Sequence, residues 1–144
     1  MKSELTIFYA DDDGEDLDIF KEIVGDISEN WHVVTQSSGE QLLRDLENPP
    51  PHPYLVFLDI NMPGLTGFDV LKTVRQKTDH GDLPIVMFST SNDDYTIEKS
   101  RLLGATFYMP KSNVFDNLKK SIEHVLGINW SSFIPTDKNF VYSL

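Results

Sequence analysis

Leu55-Val56-Phe57-Leu58-Asp59-Ile60-Asn61-Met62-Pro63-Gly64 decides how the rest of this sequence is read. Four consecutive large apolar residues, preceded by Tyr54, leave no polar face, which suits a short strand covered on both sides in a parallel sheet. An aspartate follows at once, and a carboxylate at the end of a buried strand is costly unless something answers its charge. Met62-Pro63-Gly64 then breaks the run with turn-forming residues. What else reaches that end of the sheet decides the chemistry.

Four further apolar runs lie either side of this one. They are Leu5-Thr6-Ile7-Phe8-Tyr9-Ala10, Trp31-His32-Val33-Val34-Thr35, Pro84-Ile85-Val86-Met87-Phe88 and the weaker Thr106-Phe107-Tyr108-Met109. Between them, apolar residues recur at three- and four-residue spacing, the signature of helices with one buried face. Leu17, Phe20, Ile23, Val24 and Ile27 make one stripe, and Phe68, Leu71 and Val74 another, opened by Thr66 with Asp69 three residues on. Val114, Phe115, Leu118, Ile122, Val125 and Leu126 make the last, with Gly127 placed as a stop. Ser38 to Leu46 reads as a short helix, and Asn92 to Leu103 as a less clearly striped one, with Ser91 or Asn92 as its cap. Five strand–helix units in succession predict an α/β fold with a doubly wound sheet. Residues 1–127 form one expected domain, and 128–144 an aromatic-rich tail too short for an output domain. Asn48-Pro49-Pro50-Pro51-His52-Pro53 reads as a stiff spacer ahead of the third strand.

A chain of 144 residues fits a single domain. Its net charge of −11 argues against DNA or RNA as a partner, because phosphate backbones are bound by clustered Lys and Arg. Ten of the 23 acids fall in residues 1–30, whereas nine of the 12 Lys and Arg follow Leu71, an asymmetry that suits a cation-attracting site near the front. The absence of cysteine excludes thiolate catalysis, thiol metal sites and disulfides. No apolar run approaches a membrane span, and no signal-peptide pattern opens the chain, so a cytoplasmic location without membrane contact is expected. The four histidines show no ligand spacing and are expected at the surface.

In open α/β sheets, ligands collect at the carboxyl ends of the strands. Here those ends carry Asp11-Asp12-Asp13, Asp59-Ile60-Asn61, Ser89-Thr90-Ser91 and Pro110-Lys111. Asp11, Asp12 and Asp59 would repel one another unless a cation sat between them. Hard oxygen ligands in a small site suit Mg²⁺ better than a transition metal. Lys111 offers a mobile positive charge and Ser89 a hydroxyl donor. Together these are the parts that phosphoryl transfer needs: a nucleophilic oxygen, a divalent metal and positive charge around the equatorial oxygens.

With these elements in this order, residues 4–127 resemble the response-regulator receiver family of two-component signalling. The resemblance rests on Asp11-Asp12, Leu58 to Gly64, Ser89, and Gly104-Ala105 followed by Tyr108 and Lys111. It implies a flavodoxin-like fold with strand order 2-1-3-4-5. It also implies that Asp59 accepts a phosphoryl group from phosphohistidine on a sensor histidine kinase or a histidine phosphotransfer protein. Asp12 would coordinate Mg²⁺ with help from Asp11, Asn61 would offer its backbone carbonyl, Lys111 would neutralise the phosphate, and Ser89 would swing to hydrogen-bond it. Tyr108 falls at the family's switch aromatic. Output would go to a downstream protein target, or onward along a phosphorelay.

Plainer readings exist for each residue. Asp11 to Asp13 could simply cap a helix, where acids favour the dipole; Tyr108 could be packing, and Lys111 a surface lysine. The sequence also departs from the family at two points: Ser89 stands where threonine is commoner, which keeps the hydroxyl, and proline precedes Lys111 instead of following it, which puts the lysine's aim in question. A degenerate receiver serving as a constitutive scaffold is the alternative this raises. A phosphatase on a similar sheet is disfavoured, because Asn61 stands where a second acid would act as general acid. Ser91, two beyond the hydroxyl residue, has no carboxylate or amide to position a water, so slow dephosphorylation is expected. The tail aromatics Trp130, Phe133, Phe140 and Tyr142 suit either packing on the domain or a homodimer contact.

Overall fold

Ten elements alternate along the chain in a computed structural model that describes residues 5–48, 54–77 and 80–143. They are β1 (Leu5–Ala10), α1 (Gly14–Ile27), β2 (Trp31–Gln36), α2 (Gly39–Glu47), β3 (Tyr54–Leu58), α3 (Gly67–Arg75), β4 (Ile85–Ser89), α4 (Asp94–Leu102), β5 (Phe107–Pro110) and α5 (Phe115–Leu126). The strands form one parallel sheet in the order β2-β1-β3-β4-β5. Most of the proline-rich spacer, Pro49 to Pro53, lies outside the described residues.

The continuous apolarity of the strands is used on both faces. Phe8, Val56, Leu58, Ile85, Met87 and Tyr108 pack with Leu42, Leu46, Val70, Leu71 and Val74 of α2 and α3. Their sequence neighbours Ile7, Tyr9, Leu55, Phe57, Val86, Phe88, Phe107 and Met109 point the other way, onto Phe20, Ile23 and Val24 of α1 and Ile122, Val125 and Leu126 of α5. Successive side chains of a strand point to opposite faces. Both parities therefore had to be apolar, and the sheet is doubly wound.

Helix starts follow their capping chemistry. Asp13 accepts from the amides of Glu15 and Asp16 to open α1, and Ser38 accepts from Gln41 to open α2. Thr66 and Asp69 form a reciprocal capping box on α3. The α4 cap is Asp93, which accepts from the Thr96 amide and hydroxyl, rather than Ser91 or Asn92. All three residue types cap well, and Asp93 adds a carboxylate at the positive end of the helix dipole. In α5 the apolar stripe begins later than expected: Val114 sits at the N-cap position, and both it and Phe115 are exposed. His80 also departs from the surface expectation, being buried with Nδ1 unpartnered.

The tail is part of the fold. Phe140 is buried in the same core cluster as Tyr108, and Val141 pairs with Tyr108 as a parallel bridge on the outer side of β5. Pro110 alternates with Tyr108, whose amide faces that outer side, so its missing N–H falls away from β4. The next amide, that of Lys111, turns inward to the Ser89 carbonyl at 2.7 Å.

Candidate functional site

Strand register brings the key carboxylates side by side. Ala10 pairs with Leu58, so Asp11 and Asp59 are the next residues out on adjacent strands. The Asp59 amide donates to the Ala10 carbonyl at 3.0 Å, and the Asp11 amide to the Gln36 carbonyl at 3.0 Å. Both side chains are largely buried, Asp11 at 1% exposure and Asp59 at 6%, whereas Asp12 is exposed at the rim. Carboxylate oxygens of the three lie within 4.8 Å of one another, the one such cluster among the described residues.

Lys111 closes the site from β5. Its Nζ lies 2.5 Å from Asp11 Oδ2, 3.0 Å from Asp16 Oδ2 and 3.6 Å from Asp59 Oδ1. The reversed Pro110-Lys111 order thus still delivers the ammonium to the acids. Burial would lower the lysine's proton affinity, but the Asp11 hydrogen bond and the charges of Asp59 and Asp11 outweigh it and hold the ammonium above its usual range. Asp59 moves the other way from an ordinary carboxylate. Burial pushes it up to about 7; the Lys111 charge pulls it down, and Asp11 and Asp12 add to the rise. A site this rich in buried negative charge is one that binding a cation would stabilise.

The donor set is all oxygen, which fits a hard ion such as Mg²⁺. Asp11 already uses both oxygens: Oδ2 accepts from Tyr9 and Lys111, and Oδ1 from the Asp13 amide. That suits it to an assisting role behind Asp12 and Asp59. Of the three successive acids, then, Asp13 caps α1 while Asp11 and Asp12 face the site. Asn61 stands exposed on the loop just after β3.

Ser89 ends β4 fully buried, and its Oγ accepts from the Ser91 amide at 3.3 Å. Ser91 in turn accepts, through its carbonyl, a 2.6 Å hydrogen bond from the Tyr108 hydroxyl. Burial raises the Tyr108 phenol to about 12, while the neighbouring Ser89 hydroxyl draws it down. Ser89 and Tyr108 are therefore joined, on the β4–β5 side of the acid cluster.

Three contributors were not foreseen. Tyr9, fully buried, donates its hydroxyl to Asp11 at 2.5 Å, and burial and then that bond hold its phenol well above the usual range. Two-residue spacing on a strand puts Tyr9 and Asp11 on one face, so the signal was present. Asp16 had no such signal, because only tertiary packing sets α1 beside Lys111. Gly67 supports Asp59 from below: a Cβ there would lie 2.3 Å from the Asp59 carbonyl oxygen and 2.7 Å from Ile60 Cα. The glycine lets the first turn of α3 touch the strand end, with its amide donating to the Ile60 carbonyl at 2.8 Å. Gly64, at φ 75°, makes the turn between. Beside Lys111 a cavity of about 640 Å³ opens between α1 and α5, floored by Phe20, Phe88 and Ile122 and rimmed by Asp16 and Asn117.

Comparison with known proteins places these features. The family profile described as response regulator receiver domain matches residues 7–123. The two-component response regulator ORR27 of Oryza sativa subsp. japonica is 28% identical over 123 residues, covering 85% of this chain but 19% of the relative. Response regulator Rcp1 of Synechocystis is 35% identical over 78 residues, covering 54% of this chain and 51% of Rcp1. The crystal structure of response regulator RPA3017, in red light signaling of R. palustris, superposes with a TM-score of 0.78 at 26% identity, covering 91% of this chain and 99% of that one. The chain thus spans only about a fifth of the rice relative's length and about half of Rcp1's. From the acid cluster, the strand order and the profile match together, the chain belongs to the response regulator receiver domain family.

Proposed function

We propose that this receiver accepts a phosphoryl group on Asp59 from phosphohistidine of a sensor histidine kinase or histidine phosphotransfer protein, with Mg²⁺ as cofactor, in the cytoplasm. A downstream protein or a further relay partner then reads the change. The observation that carries this reading is the convergence of Asp11, Asp12 and Asp59 with the Lys111 ammonium at one end of the sheet.

An Asp59 oxygen forms the new O–P bond as the donor's N–P bond breaks, and the departing imidazole nitrogen keeps that electron pair and takes up a proton. Mg²⁺, when bound, screens negative charge on the phosphoryl oxygens. Asp12 and Asp59 are the ligands proposed for it, with Asp11 assisting and the Asn61 carbonyl contributing. Lys111 places its charge toward a phosphoryl oxygen, and Ser89 donates its hydroxyl to another. Tyr108, joined to Ser89 and Ser91, is the residue placed to sense that move.

Support against the scaffold alternative comes from Lys111, which reaches the acids despite the proline before it. The test is to incubate the protein with Mg²⁺ and phosphoramidate and weigh it by intact-mass spectrometry. One added phosphoryl group, lost in Asp59→Asn and in EDTA, is expected. No adduct in the wild type would favour the scaffold, and phosphate release without an adduct would favour a phosphatase.

A further inference from the structure

Tyr108, the residue proposed above to sense the site, is held by the chain's own tail. The Tyr108 amide donates to the Phe140 carbonyl at 2.8 Å, and the Tyr108 carbonyl accepts from the Tyr142 amide at 2.9 Å. Both backbone groups of Tyr108 on the outer edge of β5 are therefore engaged by residues 140–142. The ring is fully buried, and Phe140, at 1% exposure, belongs to the same cluster on that outer side.

The segment is anchored along its length. Trp130 donates its indole N–H to the Val125 carbonyl of α5 at 3.2 Å. Trp130 and Phe133 meet Phe107 edge-on, with ring centroids 6.0 and 5.9 Å away. Asp137 pairs with Arg101 of α4 at 3.2 Å, and the Tyr142 ring lies 5.1 Å from His124 of α5. Residues 128–143 thus leave α5, touch α4 and return alongside β5.

The geometry points to a strap: residues 128–143 fix Tyr108 in its buried setting and close the β5 edge, so Tyr108 does not turn out to solvent whatever the state of Asp59. Turning out would require the hydroxyl to give up its bond to the Ser91 carbonyl and the ring to leave the cluster it shares with Phe140. A protein approaching between α4 and α5 meets the strap, not a bare strand, because the β5 edge is already paired. Coupling from Ser89 then reaches the surface through the strap's hold on β5, along a contiguous set of hydrogen bonds.

The test uses the full chain labelled with 3-fluorotyrosine, the Tyr108 signal being assigned with Tyr108→Phe. The ¹⁹F shift between H₂O and D₂O reads exposure, with Tyr9 (0% exposed) and Tyr95 (71% exposed) as internal standards. In the wild type, Tyr108 should behave like Tyr9, both before and after phosphorylation with phosphoramidate and Mg²⁺. Phe140→Ser, and separately Tyr142→Pro, which removes the amide bonded to the Tyr108 carbonyl, should move Tyr108 toward Tyr95 while Tyr9 stays unchanged. In the wild type, the Tyr108 and Tyr142 amides should also be protected together from hydrogen exchange. A Tyr108 that becomes exposed on phosphorylation, one that stays buried in both variants, or rapid exchange at both amides would each overturn the strap. Failure to phosphorylate would count against the Asp59 reading alone, since the variant and exchange measurements use unmodified protein.

Discussion

Replacing Asp59 by asparagine should stabilise this protein in metal-free buffer, and the size of the effect follows from the site. Asp59 is 6% exposed and shares its pocket with Asp11 and Asp12. Its proton affinity rises from the ordinary 3.8 to about 7. Each tenfold change in proton affinity corresponds to about 1.4 kcal/mol, so the ionised carboxylate at pH 7.5 destabilises the fold by at most about 4 kcal/mol. The amide still needs hydrogen-bond partners and leaves Lys111 with one acid fewer, which offsets part of this. A net gain of about 2 kcal/mol is expected. For a domain of this size that is roughly 6 °C in melting temperature. Between pH 4 and 7 the folded wild type binds more protons at this residue than the unfolded chain does, so its stability should fall as pH rises through that window and level off above it. Asp59→Asn should flatten the slope. Mg²⁺ should stabilise the wild type, by about 2.7 kcal/mol at a hundredfold excess over its dissociation constant, and the variant much less. Urea denaturation in EDTA and in Mg²⁺ across this pH range measures all of these. A destabilised variant in EDTA, or a wild type that gains stability from pH 4 to 7 at this residue, would refute the picture of an over-charged pocket that a cation stabilises.

Other substitutions probe the supports. Gly67→Ala forces a methyl against the Asp59 carbonyl and Ile60 Cα, both backbone, and should cost about 3 kcal/mol in a denaturation experiment while reducing phosphorylation; an unchanged midpoint would show that α3 can shift freely. Lys111→Met strands the buried Asp11 and Asp59 without their cation, and a loss of about 3 kcal/mol in EDTA, partly restored by Mg²⁺, is expected. Equal stability in EDTA would mean that the lysine is dispensable to the cluster. Ser91→Gln introduces an amide able to orient a water and should shorten the lifetime of the phosphorylated protein, followed by loss of the adduct in intact-mass spectra; a longer lifetime would overturn the expectation that Ser91 slows dephosphorylation.

The local order of elements was legible because each is written in short-range chemistry. Leu55 to Leu58 could only be a buried strand, Ser38 and Thr66 mark helix starts, and the acids after two apolar strands announce a site. Where the expectations slipped, nearby residues offered equivalent chemistry. Ser91, Asn92 and Asp93 can all cap a helix, and only the path of the β4–α4 loop selects Asp93. Val114 and Phe115 fit the α5 stripe by spacing but fall where the helix has not yet met the sheet.

By itself, then, the sequence determined that five strand–helix units would stack into a parallel sheet, with Asp11, Asp12, Asp59, Ser89 and Lys111 at the ends of its strands, because hydrophobic periodicity and turn chemistry act over a few residues. Tertiary structure alone decided three things. It turned the uncertain aim of Lys111 into contacts with Asp11, Asp16 and Asp59. It made Gly67 the contact point between α3 and the strand carrying Asp59. And it brought Phe140 and Tyr142 back to the edge of β5, where they clamp Tyr108. All three depend on distances between residues remote in sequence, which become neighbours only once register and packing close the chain on itself.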